Sequence, residues 1–339
     1  MYLHLCDVRA GRFVAVGLVL LLLVVSCKQQ DVPKETPVAL EPVGFCRGTN
    51  MLLPLLVAEK QGFFSEQGLA VSVREFTMGR DALESMLRGE CELATAAEPP
   101  VVEYALKRDD LRILGSVQSS DNMIRLVARV DRGIATPFDL RDKRIATVKG
   151  TNAHYFLELF LEKNRLPLND VAIIFMKSDE LLGALTSGQI DAIAMTDKVV
   201  AQAQESLQDK AVLMEAPGLY RSAIMLLTTT AFFEKRPGVA VKFLRAIDQA
   251  ENFIQQRPDE ALAIVQANQK VSSAEIKQQM GFSQYRLALD HALLMGLEDT
   301  ARWTLQQAGD SQRPVPNFLN LIAAEPLRTV NPEGVRLEK

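Results

Sequence analysis

The chain has 339 residues, 48% of them hydrophobic and 24% charged, with a formal net charge of −4. That balance is the one of a globular protein long enough for two ordinary domains. The acidic excess argues against a nucleic-acid binder, which carries a basic one, and past the amino end no stretch is long and apolar enough for a membrane helix.

The amino end has the layout of an export signal. Arg9 and Arg12 form a short basic region, and Phe13–Val25 is almost unbroken Val, Leu, Phe, Ala and Gly. This run falls short of the roughly 20 apolar residues of a bilayer span and fits the core of a signal peptide. It ends at Val24-Val25-Ser26-Cys27, which resembles the lipobox of bacterial lipoproteins, where a Cys is acylated and becomes the new amino terminus. Residues 1–26 are therefore expected to leave and Cys27 to carry the lipid. Losing Arg9, Arg12 and Asp7 brings the side-chain charge to about −5. Residues 28–37, KQQDVPKETP, are polar with two prolines and read as a tether.

Strand-like and helix-like segments alternate from there. Val38–Phe45 is extended, and Leu52–Lys60 is helical in pattern until Gln61-Gly62. Val71–Phe76 alternates apolar and polar residues as a half-buried strand does. Asp81–Leu87 (helix), Leu93–Ala97 (strand), Pro100–Lys107 (helix) and Leu111–Val117 (strand) follow. The order predicts an α/β fold with a parallel sheet flanked by helices. The pattern restarts with strands at Arg144–Val148, Val171–Met176 and Ile190–Met195, and with helices at Ala153–Asn164 and Leu181–Thr186. Ser222–Thr229 is extended. The rest is mostly helical, with Ala240, Leu244, Ile247, Glu251 and Ile254 near one face. A weak internal repeat lays the helix-Gly89-acid-strand run at 82–94 on the run around Gly188 at 183–192. In each the Gly stands where a helix ends with one residue at positive φ.

Cys46 and Cys91 could pair in an oxidising compartment. Their expected places, one just past a strand and one just before another, lie at opposite ends of parallel strands. That exceeds the ~7 Å Cα limit for a bridge, so none is expected. No Cys-x-x-Cys, His-x-x-x-His or grouped carboxylates suggest a metal, and no cofactor motif is present.

Several ordered stretches carry a family resemblance. Pro54-Leu55-Leu56-Val57-Ala58-Glu59-Lys60-Gln61-Gly62-Phe63-Phe64, with Gly68-Leu69 after it, is similar to "P-L-x-x-A-x-x-x-G-F-F-x-x-x-G-L". Ala97-Glu98-Pro99-Pro100 stands where a "G-[DE]-P-P"-like loop is found. Asp139-Leu140-Arg141-Asp142-Lys143-Arg144-Ile145-Ala146 matches "D-L-K-G-K-K-[VI]-A", and Lys149-Gly150-Thr151-Asn152-Ala153-His154-Tyr155 is similar to "K-G-S-S-A-H-Y". Together, over roughly residues 44–230, these resemble the nitrate/sulfonate/taurine group of periplasmic substrate-binding proteins, related to the thiamine-pyrimidine-precursor family. In place of that group's "W-D-P-Y" the chain has Thr196-Asp197-Lys198-Val199, so the aromatic wall that motif supplies is missing.

The resemblance implies a two-lobed type II binding-protein fold with ligand in the interlobe cleft. The crossings are expected near Ile124–Arg129 and Arg221–Met225. Lobe 1 then takes residues 38–124 and 226–339, and lobe 2 residues 125–225. The implied role is the solute-capturing subunit of an ABC importer, a monomer working with a permease and an ATPase in the periplasm or at the outer face of the cytoplasmic membrane. It is not an enzyme, and it requires no cofactor. The leading ligand class is aliphatic sulfonates. Alternatives are nitrate, bicarbonate, a thiamine-type pyrimidine, a flavin-like ligand, or a sensor role without transport.

Strand-end loops are expected at Gly44–Asn50, Thr77–Asp81, Ala97–Pro100, Gln118–Asn122, Lys149–His154 and Thr196–Asp197, where open α/β sheets bind ligands. The candidate ligand residues on them are Asn50, Gly79, Arg80, Glu98, Asn122, Thr151, Asn152, His154 and Asp197. Gly79-Arg80-Asp81 and Gly150-Thr151-Asn152 precede helices, whose first N–H groups suit an oxyanion. Asp81 and Asn152 would also serve as simple caps. Glu98, unless it caps the helix that Pro99-Pro100 opens, and Asp197 would suit an amine-bearing sulfonate or another zwitterion or cation; Phe45, Met78, Met123 and Tyr155 fit either an organic tail or the core. Cys27→Ser is expected to move the protein from the membrane to the soluble fraction; a variant that still sediments with membranes contradicts the anchor.

Overall fold

The computed structural model describes residues 39–48, 53–268 and 273–337, so the leader, Cys27 and the tether lie outside the described residues. The first run of elements is β1 (Glu41–Gly48), α1 (Leu53–Lys60), α2 (Phe63–Glu66), β2 (Leu69–Phe76), α3 (Gly79–Leu87), β3 (Leu93–Ala96), α4 (Glu98–Ala105) and β4 (Leu111–Ser120). The second is β5 (Ile124–Arg129), β6 (Arg144–Thr147), α5 (Asn152–Lys163), β7 (Ala172–Phe175), α6 (Ser178–Ser187), β8 (Ala192–Thr196), α7 (Asp197–Leu207) and β9 (Ala211–Met214). The chain then forms β10 (Ser222–Thr229), α8 (Thr230–Lys235), α9 (Pro237–Gln256), α10 (Pro258–Asn268) and α11 (Ser273–Phe282). Last come β11 (Ser283–Gln284), β12 (Leu289–Asp290), α12 (His291–Gln307), α13 (Ala324–Val330) and β13 (Val335–Arg336).

Two main sheets result. One has the order β11-β4-β10-β3-β1-β2, the other β7-β6-β8-β5-β9. In the first, β1 runs parallel to β2 and β3, and β10 is antiparallel to β3 and β4. In the second, β6 runs parallel to β7 and β8, and β5 is antiparallel to β8 and β9. Read outward from β2 and from β7, the two sheets share their first five positions, three parallel strands, one reversed and one more, and the first sheet adds β11 at its edge. Helices α3 and α4 pack on the first sheet and α5, α6 and α7 on the second.

The weak repeat is one turn built twice. Gly89 and Gly188 both take left-handed φ, +78° and +77°, after α3 and α6. Three residues on, an acid enters the strand and hooks its parallel neighbour. The Glu92 N–H donates to the Gly44 carbonyl at 3.0 Å, and the Asp191 N–H to the Arg144 carbonyl at 2.9 Å. Their carboxylates in turn accept from the N–H of Gly44 at 2.5 Å and of Arg144 at 2.9 Å. Each hook fixes register where a parallel ladder begins.

Residues 121–123 carry the chain from β4 to β5, and residues 215–221 return it from β9 to β10. The expected crossing Ile124–Arg129 is thus a full strand of the second sheet, and Arg221–Met225 lies mostly inside β10. Both runs are buried almost throughout, which suits a sheet interior better than a bridge. On α9 the five residues read as one face are all buried. Phe243 from that helix meets Phe45 and Phe64 at 5.3 and 4.6 Å between ring centroids, so Phe45 is core. Glu251 is buried there too, and burial pushes its carboxyl up to about 8.

Cys46 and Cys91 form a disulfide, with Cα atoms 6.0 Å apart. The contrary expectation rested on a misplaced strand end. Cys46 lies inside β1, opposite Ala94 of β3, and the turn before β3 folds across β1 so closely that a Cβ on Gly44 would stand 3.1 Å from the Cys91 Cα. A bridge closing a loop of sequence separation 45 restricts the unfolded chain. Its removal by Cys46→Ser with Cys91→Ser is expected to cost about 2–4 kcal/mol. Thermal melting with and without reductant checks this; identical curves would contradict the bridge.

Candidate functional site

The carboxyl ends of β1 and β3 crowd around Gly79 at the start of α3, those of β6 and β7 lie beside the start of α5, and the two meet at a seam where Arg80 reaches Gly150. The first turn of α5 is its centre. Thr151 caps that helix: its Oγ1 accepts from the His154 N–H at 3.4 Å and donates to the Val148 carbonyl at 2.7 Å. The cap is therefore Thr151, one residue earlier than the expected Asn152, whose Nδ2 instead donates to Ser222 Oγ at 3.1 Å. From the other sheet, Arg80 Nη2 donates to the Gly150 carbonyl at 3.1 Å, while its Nη1 pairs with Glu103 at 2.7 Å.

Gly79 and Arg80 are the first residues of α3 rather than a loop before it, and Asp81 lies within its first turn. Gly79 is where backbones crowd: a Cβ on it would stand 3.0 Å from the Ala96 Cα, and one on Gly48 would stand 2.6 Å from the Gly79 Cα. Neither position tolerates a side chain without moving a strand end.

Glu98 opens α4, whose Pro99 and Pro100 sit in the first turn, where an N–H has no helical partner to lose. Its side chain is 1% exposed. It accepts from the Tyr220 hydroxyl at 2.8 Å, the Ala223 N–H at 2.6 Å and the Ser222 hydroxyl at 3.5 Å, all on or beside the second crossing. Burial pushes the carboxyl up to about 7, against the pull of these donors and its own N–H. Burial likewise raises the Tyr220 phenol well above its ordinary value. Glu98 thus fastens the returning crossing to the first sheet. A void of about 10 Å³, room for one water, borders it beside Ser116, Ser119, Arg221 and Asp290.

At the other crossing, Asn122 Nδ2 donates to Glu215 at 3.3 Å, and its buried Oδ1 has no protein partner. Arg125 pairs with the same Glu215 at 3.4 Å. His154 is 2% exposed. Its Nδ1 accepts from the Gly150 N–H at 3.3 Å and its Nε2 faces Glu158 at 3.1 Å. The ring packs edge-on to Phe175 and Trp303, at 4.7 and 5.0 Å between centroids. Asp197 is the first residue of α7, so the expected loop at Thr196–Asp197 is a helix start. Asn50 lies outside the described residues. Among the described residues no group of His, Cys, Asp and Glu could hold a metal ion.

Sequence reasoning missed the partners that close the seam: Tyr220, Ser222, Glu158, Trp303 and Gln307. Glu158 stands four residues after His154 on one helix face, and Trp303 is the chain's only tryptophan. Both were visible signals. Their pairing across 145 residues was not.

The sequence over residues 49–261 matches the NMT1/THI5-like family. A chain of Bacillus subtilis named as an aliphatic sulfonates-binding protein is 27% identical over 217 residues, which are 62% of this chain and 64% of that relative. The match thus spans just under two thirds of the relative's length. Among solved structures, the alkanesulfonate-binding protein SsuA from Xanthomonas axonopodis pv. citri bound to MOPS superposes with a TM-score of 0.69. It is 18% identical and covers 84% of this chain and 98% of its own. The desulfurization enzyme DSZB superposes at 0.62 with 18% identity, covering 86% of this chain and 99% of its own. Likenesses at this identity share the fold, which is that of periplasmic binding proteins.

The raised carboxyl of Glu98 carries a pH signature. A folded-state pKa above the unfolded value means that folding holds a proton that is lost as pH rises, so stability falls between about 4.5 and about 7. Glu98→Gln is expected to flatten the fall of melting temperature across that window and leave the part that Glu251 contributes up to about 8. Parallel melting curves for wild type and variant from pH 4.5 to 7 would contradict the assignment.

Proposed function

The chain belongs to the NMT1/THI5-like family, and on that premise we propose that it is a lipid-anchored, extracytoplasmic solute-binding subunit of an ABC importer. Its ligand is a small organic solute, an aliphatic sulfonate or related oxyanion. The observation that carries this reading is the meeting of both sheets' strand ends at the first turn of α5, with Arg80 of one sheet reaching Gly150 of the other. Such strand ends are where open α/β sheets bind ligands. The two sheets are then the cores of two lobes, and the crossings at 121–123 and 215–221 are their hinge.

Arg80 and the N–H groups at the start of α5 are the anion-binding candidates, with Thr151 and Asn152 shaping that turn. Helix N-termini and neutral amides hold an oxyanion without a full countercharge. The aromatic side of Tyr155, against Tyr220 at 5.2 Å, suits an organic tail. The names of the Bacillus relative and the Xanthomonas structure support sulfonates as the class. The Cys46–Cys91 bridge suits an oxidising compartment, in keeping with an export leader and with acylation at Cys27. A permease and an ATPase are the proposed partners, and a monomer the working form.

The likeness to DSZB raises an enzyme as a second reading. Two observations favour binding over chemistry. Both described cysteines are joined in the disulfide, and the seam carboxyls Glu98 and Glu158 are each held by several protein donors.

A thermal-shift panel of alkanesulfonates, taurine, sulfate, nitrate, bicarbonate, thiamine-type pyrimidines and flavins tests the reading. A solute at a hundredfold excess over Kd adds about 2.7 kcal/mol of stability. A clear rise with a sulfonate is expected, and Thr151→Ala with Asn152→Ala is expected to abolish it while leaving the unliganded protein folded. A rise with a heterocycle alone would replace sulfonates as the ligand class, and a rise with nothing would contradict solute capture from this panel.

A further inference from the structure

We infer that Glu158 is a latch between the two sheets, a positioning residue that sets how fully the seam closes. The inference rests on the reading of the chain as a hinged binder. Glu158 lies on α5, which packs against β5, β6 and β8 of the second sheet. Its carboxylate accepts from Trp303 Nε1 at 2.6 Å and from Gln307 Nε2 at 2.8 Å, both on α12, which packs on α4 beside the first sheet. His154 Nε2, from its own helix, is 3.1 Å away. One carboxylate therefore gathers three N–H groups, two of them from across the seam.

The surroundings make the contact directional. The Glu158 side chain is 14% exposed and Trp303 is 9% exposed, so the contact lies where water has little access while the seam is shut. The Trp303 ring fills the space between His154 and Tyr155, at 5.0 and 5.1 Å, and Tyr155 packs on Tyr220 of the returning crossing. Arg80 and Gly150 join the two sheets just before the same helix begins. The first two turns of α5 are thus gripped at two points by the first sheet's helices, and the Glu158 grip carries the larger share of hydrogen bonds. An open form would leave Trp303 Nε1 without its partner and expose an aromatic face. Loosening the latch lowers the closed fraction, and a solute that binds the closed form loses apparent affinity by that factor.

Hydrogen exchange on the whole protein, read by mass spectrometry over segments 78–82 and 149–153, tests this, because residues 78–82 do not touch Glu158. Glu158→Ala is expected to speed exchange in both segments at least about tenfold, what the loss of one of its charge-assisted hydrogen bonds alone would give, with β1 and β3 unchanged as evidence of folding. Trp303→Phe keeps an aromatic ring but loses the donor and part of the indole's packing, and with Gln307 still bonded to Glu158 it is expected to give the same pattern at smaller size. Exchange that quickens only around 154–158 and 303–307 overturns the latch. Added taurine or ethanesulfonate separates the latch from the binding reading. Recovery of slow exchange in Glu158→Ala supports both. Loosened segments that neither solute restores leave the latch standing and count against sulfonate capture.

Discussion

The start of α5 is held at two points by groups from the other sheet's side of the seam. Arg80 takes the Gly150 carbonyl just before the helix, and Trp303 and Gln307 converge on Glu158 one turn further on. Beside these contacts the two sheets are joined by two short crossings and by the groups around the returning one. Buried polar groups are costly to leave unpaired, so each group at the seam favours the state in which its partner is present. The returning crossing obeys the same constraint. Glu98 anchors Tyr220, Ser222 and Ala223 to the first sheet, and Ser222 in turn receives Asn152 from the second. A hydrogen-bonded chain therefore runs from α4 through the start of β10 to α5.

That geometry follows from a doubled topology. Both sheets use three parallel strands, one reversed strand and a further neighbour, and both begin their third parallel strand with a carboxylate hooked to a backbone N–H. Parallel strands place their carboxyl ends together. Two such sheets, joined twice by short segments, present those ends to one another. The seam is thus a consequence of strand order, and the side chains on it decide how tightly it shuts.

Much of this was legible in the residues. Alternation in β2, the apolar run of β3 and the single face of α9 mark those elements, because burial imposes their periods. Gly89 and Gly188 mark turns that only a left-handed residue makes easily, and so the repeat could be seen. The extended runs at 124–129 and 222–229 were recognised, but their place in the sheets was not, since a buried strand and a buried crossing share one apolar pattern. The disulfide escaped for a related reason: its feasibility depends on how far β1 extends and how the Cys91 turn folds over it. Asp197 was placed in a loop because it follows a strand end, whereas the helix begins there at once and Asp197 opens α7.

Site residues divided along the same line. Thr151, Asn152 and His154 were found through a local motif, and the structure brings them together with Arg80 and Glu98 along one seam. Their partners Trp303, Gln307 and Tyr220 come from distant parts of the chain, and no local spacing announces such pairs. Long-range contact is a property of the fold, and the local pattern carries only one side of it.

The central claim is that a solute binds between the sheets at the start of α5. A crystal structure of the protein grown with the alkanesulfonate that stabilises it most tests this directly. The account predicts sulfonate oxygens against the N–H groups of the first turn of α5, with side chains of both sheets around the solute. A sulfonate bound only on an outer face, touching one sheet, would contradict it.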